Sequence, residues 1–249
     1  MGEIYVNDLE GNPVSEATIY KDGTEIGDWN RAGWGMLTYD KGYAMSSNVA
    51  IINLIKDHMD SMMLRQYFKK LGFGKTTKIE LPNEQSGKID FKYETEILNA
   101  GFGQGITTTP IQHIQAMTTL TNDGILLKPY VVEKIVDPIT KEVIVQNGKD
   151  EKERVASTTT VEKMIQLMDD CVNGDGNTGI GFKIDGGQLI GKTGTAQIAK
   201  ENGLGYISGK AEVISSFSGI YPKNDPQIII YAAVKRPTNG SQKPLSNAV

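Results

Sequence analysis

The chain has 249 residues, 39% of them apolar and 22% charged, the balance of a globular protein able to bury a core. A net charge of −4 without clustered lysine or arginine excludes a basic nucleic-acid surface, and the one cysteine, Cys171, excludes an internal disulfide. Two histidines, His58 and His113, both inside helical patterns, argue against a zinc centre or a Ser-His-Asp triad.

Residues 1–43 read as irregular, with short strand-like pieces broken at Gly11-Asn12-Pro13, Asp22-Gly23 and Gly33-Trp34-Gly35. Val49, Ile52, Ile55 and Met59 then recur at helical spacing behind the capping residues Ser46, Ser47 and Asn48. A second helix is predicted from Ser61, with Leu64, Tyr67, Phe68 and Leu71 on one face and a stop at Gly72-Phe73-Gly74. Thr109-Pro110 opens a third, whose expected buried face is Ile111, Ile114, Met117 and Leu120, ending at Asn122-Asp123-Gly124.

Strands are predicted over 131–136 and 142–145, and 147–154 reads as a charged, solvated loop. Thr159-x-x-Glu162 has the form of a capping box for a fourth helix through Met164, Ile165 and Met168. From Gln188 the pattern changes to strands, over 188–198, 212–221 and 227–235, the last two joined by a turn between Pro222 and Pro226. A helical part over about 44–172 followed by a sheet part over about 186–237 predicts an α+β fold, an antiparallel sheet flanked by helices. The longest apolar run, 228–234, is too short to span a bilayer, and the chain as written is expected to be soluble, with no cofactor.

The densest chemistry lies in Gly191-Lys192-Thr193-Gly194-Thr195-Ala196-Gln197. On a strand, Thr193 and Thr195 present hydroxyls on one side, while Gly194 lacks the Cβ that would keep a substrate backbone away. Lys192 adds a positive charge, so the segment suits an anionic acyl substrate. Lys192-Thr193-Gly194 matches the Lys-Thr-Gly of penicillin-binding proteins and serine β-lactamases, whose other marks are Ser-x-x-Lys and Ser-x-Asn. Residues 186–193 also satisfy G-x-x-x-x-G-K-[ST], a phosphate-loop pattern, which needs a hydrophobic strand before it and a helix after it. Glycine-rich flanks provide neither, so the nucleotide reading is the weaker of the two.

Ser46-Ser47-Asn48 supplies Ser-x-Asn at the mouth of an apolar helix, followed in order by Gly101-Phe102-Gly103-Gln104-Gly105 and Asn122-Asp123-Gly124. In that order, from about Asp28-Trp29-Asn30 to Pro237, these segments resemble the transpeptidase domain of class B penicillin-binding proteins, particularly the Gram-positive type. The resemblance implies a penicillin-binding/serine β-lactamase-like transpeptidase fold, and a D,D-transpeptidase that cross-links peptidoglycan stem peptides through a serine acyl-enzyme and is acylated by β-lactam antibiotics. It implies catalytic roles for Ser46, Asn48 and Lys192, and substrate contacts for Thr193, Gly194, Thr195 and, at the rim, Gln197. Ser47 is expected to cap the helix rather than touch substrate. Implied partners are stem peptides, β-lactams and cell-wall synthesis or division proteins, at the outer face of a bacterial membrane reached through an anchor that these residues do not contain.

No serine in the chain is followed three positions later by lysine. Residues 1–249 are therefore expected to be part of a transpeptidase domain truncated at both ends, lacking the nucleophile helix and inactive alone. A non-catalytic binding or sensing relative is the alternative. An apolar scar is expected where the nucleophile helix would pack, with Val49, Ile52 and Ile55 contributing.

Overall fold

A computed structural model describes residues 3–6, 18–19, 25–30, 34–201, 205–209 and 212–237. The elements in chain order are β1 (Glu3–Val6), β2 (Thr18–Ile19), β3 (Glu25–Ile26), β4 (Gly35–Thr38), α1 (Tyr39–Ala44), α2 (Asn48–His58), α3 (Ser61–Lys70), α4 (Glu94–Gly101) and α5 (Pro110–Thr121). They continue with β5 (Ile125–Leu127), β6 (Lys134–Val136), β7 (Val143–Gln146), β8 (Glu151–Arg154), α6 (Thr158–Asn173), a 3-10 turn (Ile180–Phe182), β9 (Ile190–Gln197), β10 (Val213–Tyr221) and β11 (Ile228–Lys235). The α+β class and the antiparallel sheet are as the sequence predicts, and among the described residues no helix is long and apolar enough to cross a membrane.

Two compact units divide the chain. One takes Met1–Leu64, Phe91–Gly105 and Ile165–Val249, the other Arg65–Asp90 and Ile106–Met164. In the first, β11, β10 and β9 form a sheet in that order, with Phe217↔Thr193 and Gly219↔Gly191 in register. Its core is Val172, Phe182, Leu189 and Phe217, the two rings stacked at 3.9 Å. Glycine at 191 makes this packing possible, because a Cβ there would lie 2.4 Å from Phe217 Cζ and 2.5 Å from the Ser218 carbonyl oxygen.

Helices α1 and α2 meet at a tight turn that the sequence only half reveals. The Ser46 amide donates to the Tyr43 carbonyl at 3.0 Å and the Ser47 amide to the Gly42 carbonyl at 2.9 Å, the paired bonds of a Schellman helix end. Its left-handed position falls on Ser46, φ 55°, where glycine is the usual occupant. Ser47 caps α2 as expected, its hydroxyl accepting from the Ala50 amide at 3.0 Å.

The three residues expected to contribute to an apolar scar are not exposed. Val49, Ile52 and Ile55 are all buried. Trp34, Leu37 and Tyr39, from the stretch read as irregular, cover Val49 and Ala50. Helix α4 closes over Ile55, so near that a Cβ on Gly101 would overlap its Cδ1.

In the second unit, β5 pairs with β8 and β6 with β7. Strand β8 replaces the end of the predicted 147–154 loop: Glu151-Lys152-Glu153-Arg154 is exposed throughout and has no apolar alternation, so only its pairing with β5 makes it a strand. Helix α6 begins one residue before the proposed capping box, with the Thr160 amide donating to Ser157 Oγ at 3.2 Å. Thr109 caps α5 as predicted, but the most buried positions of that helix are Gln112, Gln115, Met117 and Thr119, with Ile111, Ile114 and Leu120 only half-buried. Gln112 is fully buried because its amide serves the backbone, donating to the Lys75 and Ser86 carbonyls at 2.8 and 2.7 Å and accepting from the Thr109 amide at 2.9 Å.

Candidate active site

A cleft of ≈ 730 Å³ lies within the first unit, between the α1–α2 turn, the Phe102–Gln104 segment and strand β9. Every site residue singled out in the sequence lines it: Ser46, Asn48, Lys192, Thr193, Gly194, Thr195 and Gln197. Residues 191–197 are a regular strand at the free edge of the described sheet, not a loop opening a helix, so the phosphate-loop pattern has no phosphate-loop geometry.

Lys192 leaves β9 and donates to Ser46 Oγ at 2.7 Å and to the Thr193 carbonyl at 2.9 Å. Its ammonium also sits 5.5 Å from the centre of the Tyr43 ring. Burial pulls its pKa below the usual lysine value, against a smaller upward pull from Cys171. Burial likewise pushes the Tyr43 phenol up, so it stays neutral beside the lysine.

The strand alternates as expected. Thr195 and Gln197 are exposed on the open side, and Thr193, half-buried on the same side, donates to Thr178 Oγ1 at 3.1 Å. Thr178 passes the chain of hydroxyls on to the Ala44 carbonyl at 3.0 Å and touches Cys171 Sγ at 3.6 Å. At Gly194 a Cβ would meet only Ser216 Oγ, at 2.7 Å, so the strand face opposite Thr193 and Thr195 is open there. Asn48 begins α2 and donates to the Gly27 carbonyl at 3.0 Å.

Sequence reading missed Tyr43, Thr178 and Asp28. Thr178 lies in a glycine-rich stretch with nothing to distinguish it from a loop threonine, and Tyr43 lies in α1, which has too few apolar residues to show helical periodicity. Asp28 had one signal, its place at the start of the segment carrying the family resemblance. It is 4% exposed and accepts from Ser47 Oγ at 2.7 Å and from the Val49 amide at 3.0 Å.

Residues 6–249 match the family model described as the penicillin binding protein transpeptidase domain. Stage V sporulation protein D of Bacillus subtilis is 34% identical over 220 residues, covering 87% of this chain and 33% of that protein. Peptidoglycan D,D-transpeptidase FtsI of Escherichia coli is 28% identical over 233 residues, covering 92% of this chain and 36% of that protein. Among solved structures, penicillin binding protein 2X from Streptococcus thermophilus superposes with a TM-score of 0.84 over 95% of this chain and 36% of its own, at 24% identity, a likeness of fold. The chain thus spans about a third of the length of the relatives it matches.

Proposed function

The chain belongs to the transpeptidase domain family of class B penicillin-binding proteins, and from that premise we propose that its cleft is the donor-peptide and β-lactam site of a peptidoglycan D,D-transpeptidase. The observation that carries the reading is the Lys192–Ser46 bond of 2.7 Å, with Asn48 lining the same cleft. On this reading residues 1–249 are part of one transpeptidase domain, whose acylated serine belongs to a Ser-x-x-Lys segment outside these 249 residues.

A hydroxyl hydrogen-bonded to a buried lysine can accept a proton from one side and release one to the other. Ser46 would relay a proton between nucleophile and leaving group, driven by the neighbouring charge of Lys192. Asn48, donor and acceptor at once, would hold the substrate amide and orient the lysine of the nucleophile segment. The donor peptide would lie along the free edge of β9 as an added strand, close against Gly194, with its terminal carboxylate received by the Thr193 and Thr195 hydroxyls. The Thr195 amide would supply one donor to the oxyanion hole, and Gln197 would touch the rim of the ligand.

The whole protein would act at the outer face of a bacterial membrane, held by an anchor, beside cell-wall synthesis or division proteins. Fluorescent penicillin tests the reading on a longer protein that joins this chain to a Ser-x-x-Lys segment. Stoichiometric covalent labelling is expected there, and no adduct by intact mass on the 249-residue chain. A labelled serine in the short chain would overturn the assignment of the nucleophile.

A further inference from the structure

Residues 27–29 run beside the α1–α2 turn and bond to it repeatedly. Trp29 Nε1 donates to the Met45 carbonyl at 2.9 Å, and the Gly27 carbonyl accepts from Asn48 Nδ2 at 3.0 Å. Between them the Asp28 carboxylate uses one oxygen for Ser47 Oγ, at 2.7 Å, and the other for the Val49 amide, at 3.0 Å. These bonds bracket Ser46 on both sides along the chain.

Helix capping accounts for one of these bonds only. Ser47 takes the Ala50 amide at 3.0 Å and Asp28 the Val49 amide, but the 4% exposed carboxylate also holds the Ser47 hydroxyl, a bond that serves no helix-end amide. The α2 dipole and charge-assisted hydrogen bonds offset the burial of the carboxylate. What the carboxylate adds is a fixed peptide path through Ser46, whose left-handed backbone at φ 55° is disfavoured for a residue with a Cβ. Such a conformation persists where its surroundings over-determine it.

We propose that Asp28 is a positioning residue: by holding Ser47 and Val49 it keeps Ser46 in the left-handed conformation with Oγ directed at Lys192. Only its effect on catalysis rests on the function proposed above; the geometry stands apart from activity.

Carbon chemical shifts of Ser46 in the 249-residue chain, which report its backbone conformation, test the geometry in Asp28→Asn and Asp28→Ala. The amide of Asp28→Asn retains an acceptor for Val49 and gains a donor for Ser47 Oγ, so Ser46 shifts are expected to stay at parent values. Asp28→Ala should move them out of the left-handed range. If Asp28→Ala does not fold, Ser47→Ala, which removes one of the two carboxylate bonds, should move them part of the way. Acylation by fluorescent penicillin, measured in the longer protein far below its thermal midpoint, should fall about 100-fold in Asp28→Ala, the scale of a 1 Å misplacement, and recover in Asp28→Asn. Ser46 shifts unchanged in every folded variant would overturn the proposal, as would parent acylation in a destabilised Asp28→Ala. A parent protein that takes no label would count against the proposed function, while the Ser46 shifts would still decide the role of Asp28.

Discussion

Lys192 and Ser46 are joined by a 2.7 Å hydrogen bond although 146 residues of chain separate them. Strand β9 brings the lysine and the Schellman turn brings the serine, so each residue reaches the other from a backbone fixed by its own element. Among the described residues no carboxylate lies within ion-pairing distance of this lysine. Its charge is held by a hydroxyl, a carbonyl and the face of Tyr43, an arrangement that leaves it available to an incoming anion.

Removing that charge should therefore be felt in the chemistry. In the longer protein bearing the nucleophile, Lys192→Ala is expected to slow acylation by fluorescent penicillin by roughly two to four orders of magnitude, the scale of an acid–base or oxyanion contribution. Acylation at the parent rate would show that the Lys-Thr-Gly assignment is wrong.

Gly191→Ala should destabilise the first unit by about 1–3 kcal/mol, the scale of an overpacked core. The new Cβ would fall 2.5 Å from the Ser218 carbonyl oxygen, and that backbone cannot move without disturbing the β9–β10 ladder. Gly194→Ala, which meets only the rotatable Ser216 hydroxyl, should cost less. Urea unfolding of both variants gives the comparison, and equal midpoints would contradict it.

Gln112→Leu keeps the volume of the side chain and deletes its polar end. The Lys75 and Ser86 carbonyls and the Thr109 amide, part-buried around it, would each lose a partner, a loss of about 1–3 kcal/mol in all because water can reach some of these groups. Denaturation that leaves this variant within about 1 kcal/mol of the parent, by that same scale, would mean water reaches all of them.

Burial holds His113 below the ordinary imidazole pKa, beside the Phe73 ring at 5.3 Å and the Thr108 hydroxyl at 2.9 Å. Below the unfolded value of about 6.5 the unfolded chain binds the proton first. Stability from this residue is thus complete above that pH and declines as pH falls toward the folded value. His113→Gln should flatten the slope of the urea midpoint between pH 7.5 and 5, and a slope identical to the parent's would assign it to other groups.

The sheet and the two motifs on the cleft were legible because both rest on local pattern. The runs forming β9, β10 and β11 are β-branched and bounded by turn residues, and Ser47 and Thr109 announce their helices by capping chemistry. What escaped was decided by distant contacts. Strand β8 owes its conformation to β5, and α1, with Gly42 in its middle, is set by the turn it leads into. The apolar face of α2 was readable, but the identity of its cover, Trp34, Leu37 and Tyr39, was not, since nothing in their spacing says which surface they will meet. Asp28 was hidden for the same reason, an isolated acid whose two partners lie 19 and 21 residues away.

Those separations set an order of events on the ribosome. Asp28 meets Ser47 and Val49 across about twenty residues, so every residue of the clamp around Ser46 is present once α2 has left the exit tunnel. Lys192 follows 146 residues after Ser46, an interval of roughly 7–30 s at 5–20 residues per second. For that time the nascent chain carries Ser46 with no lysine to meet. The pair at the centre of the cleft can therefore be completed only once β9 has been made.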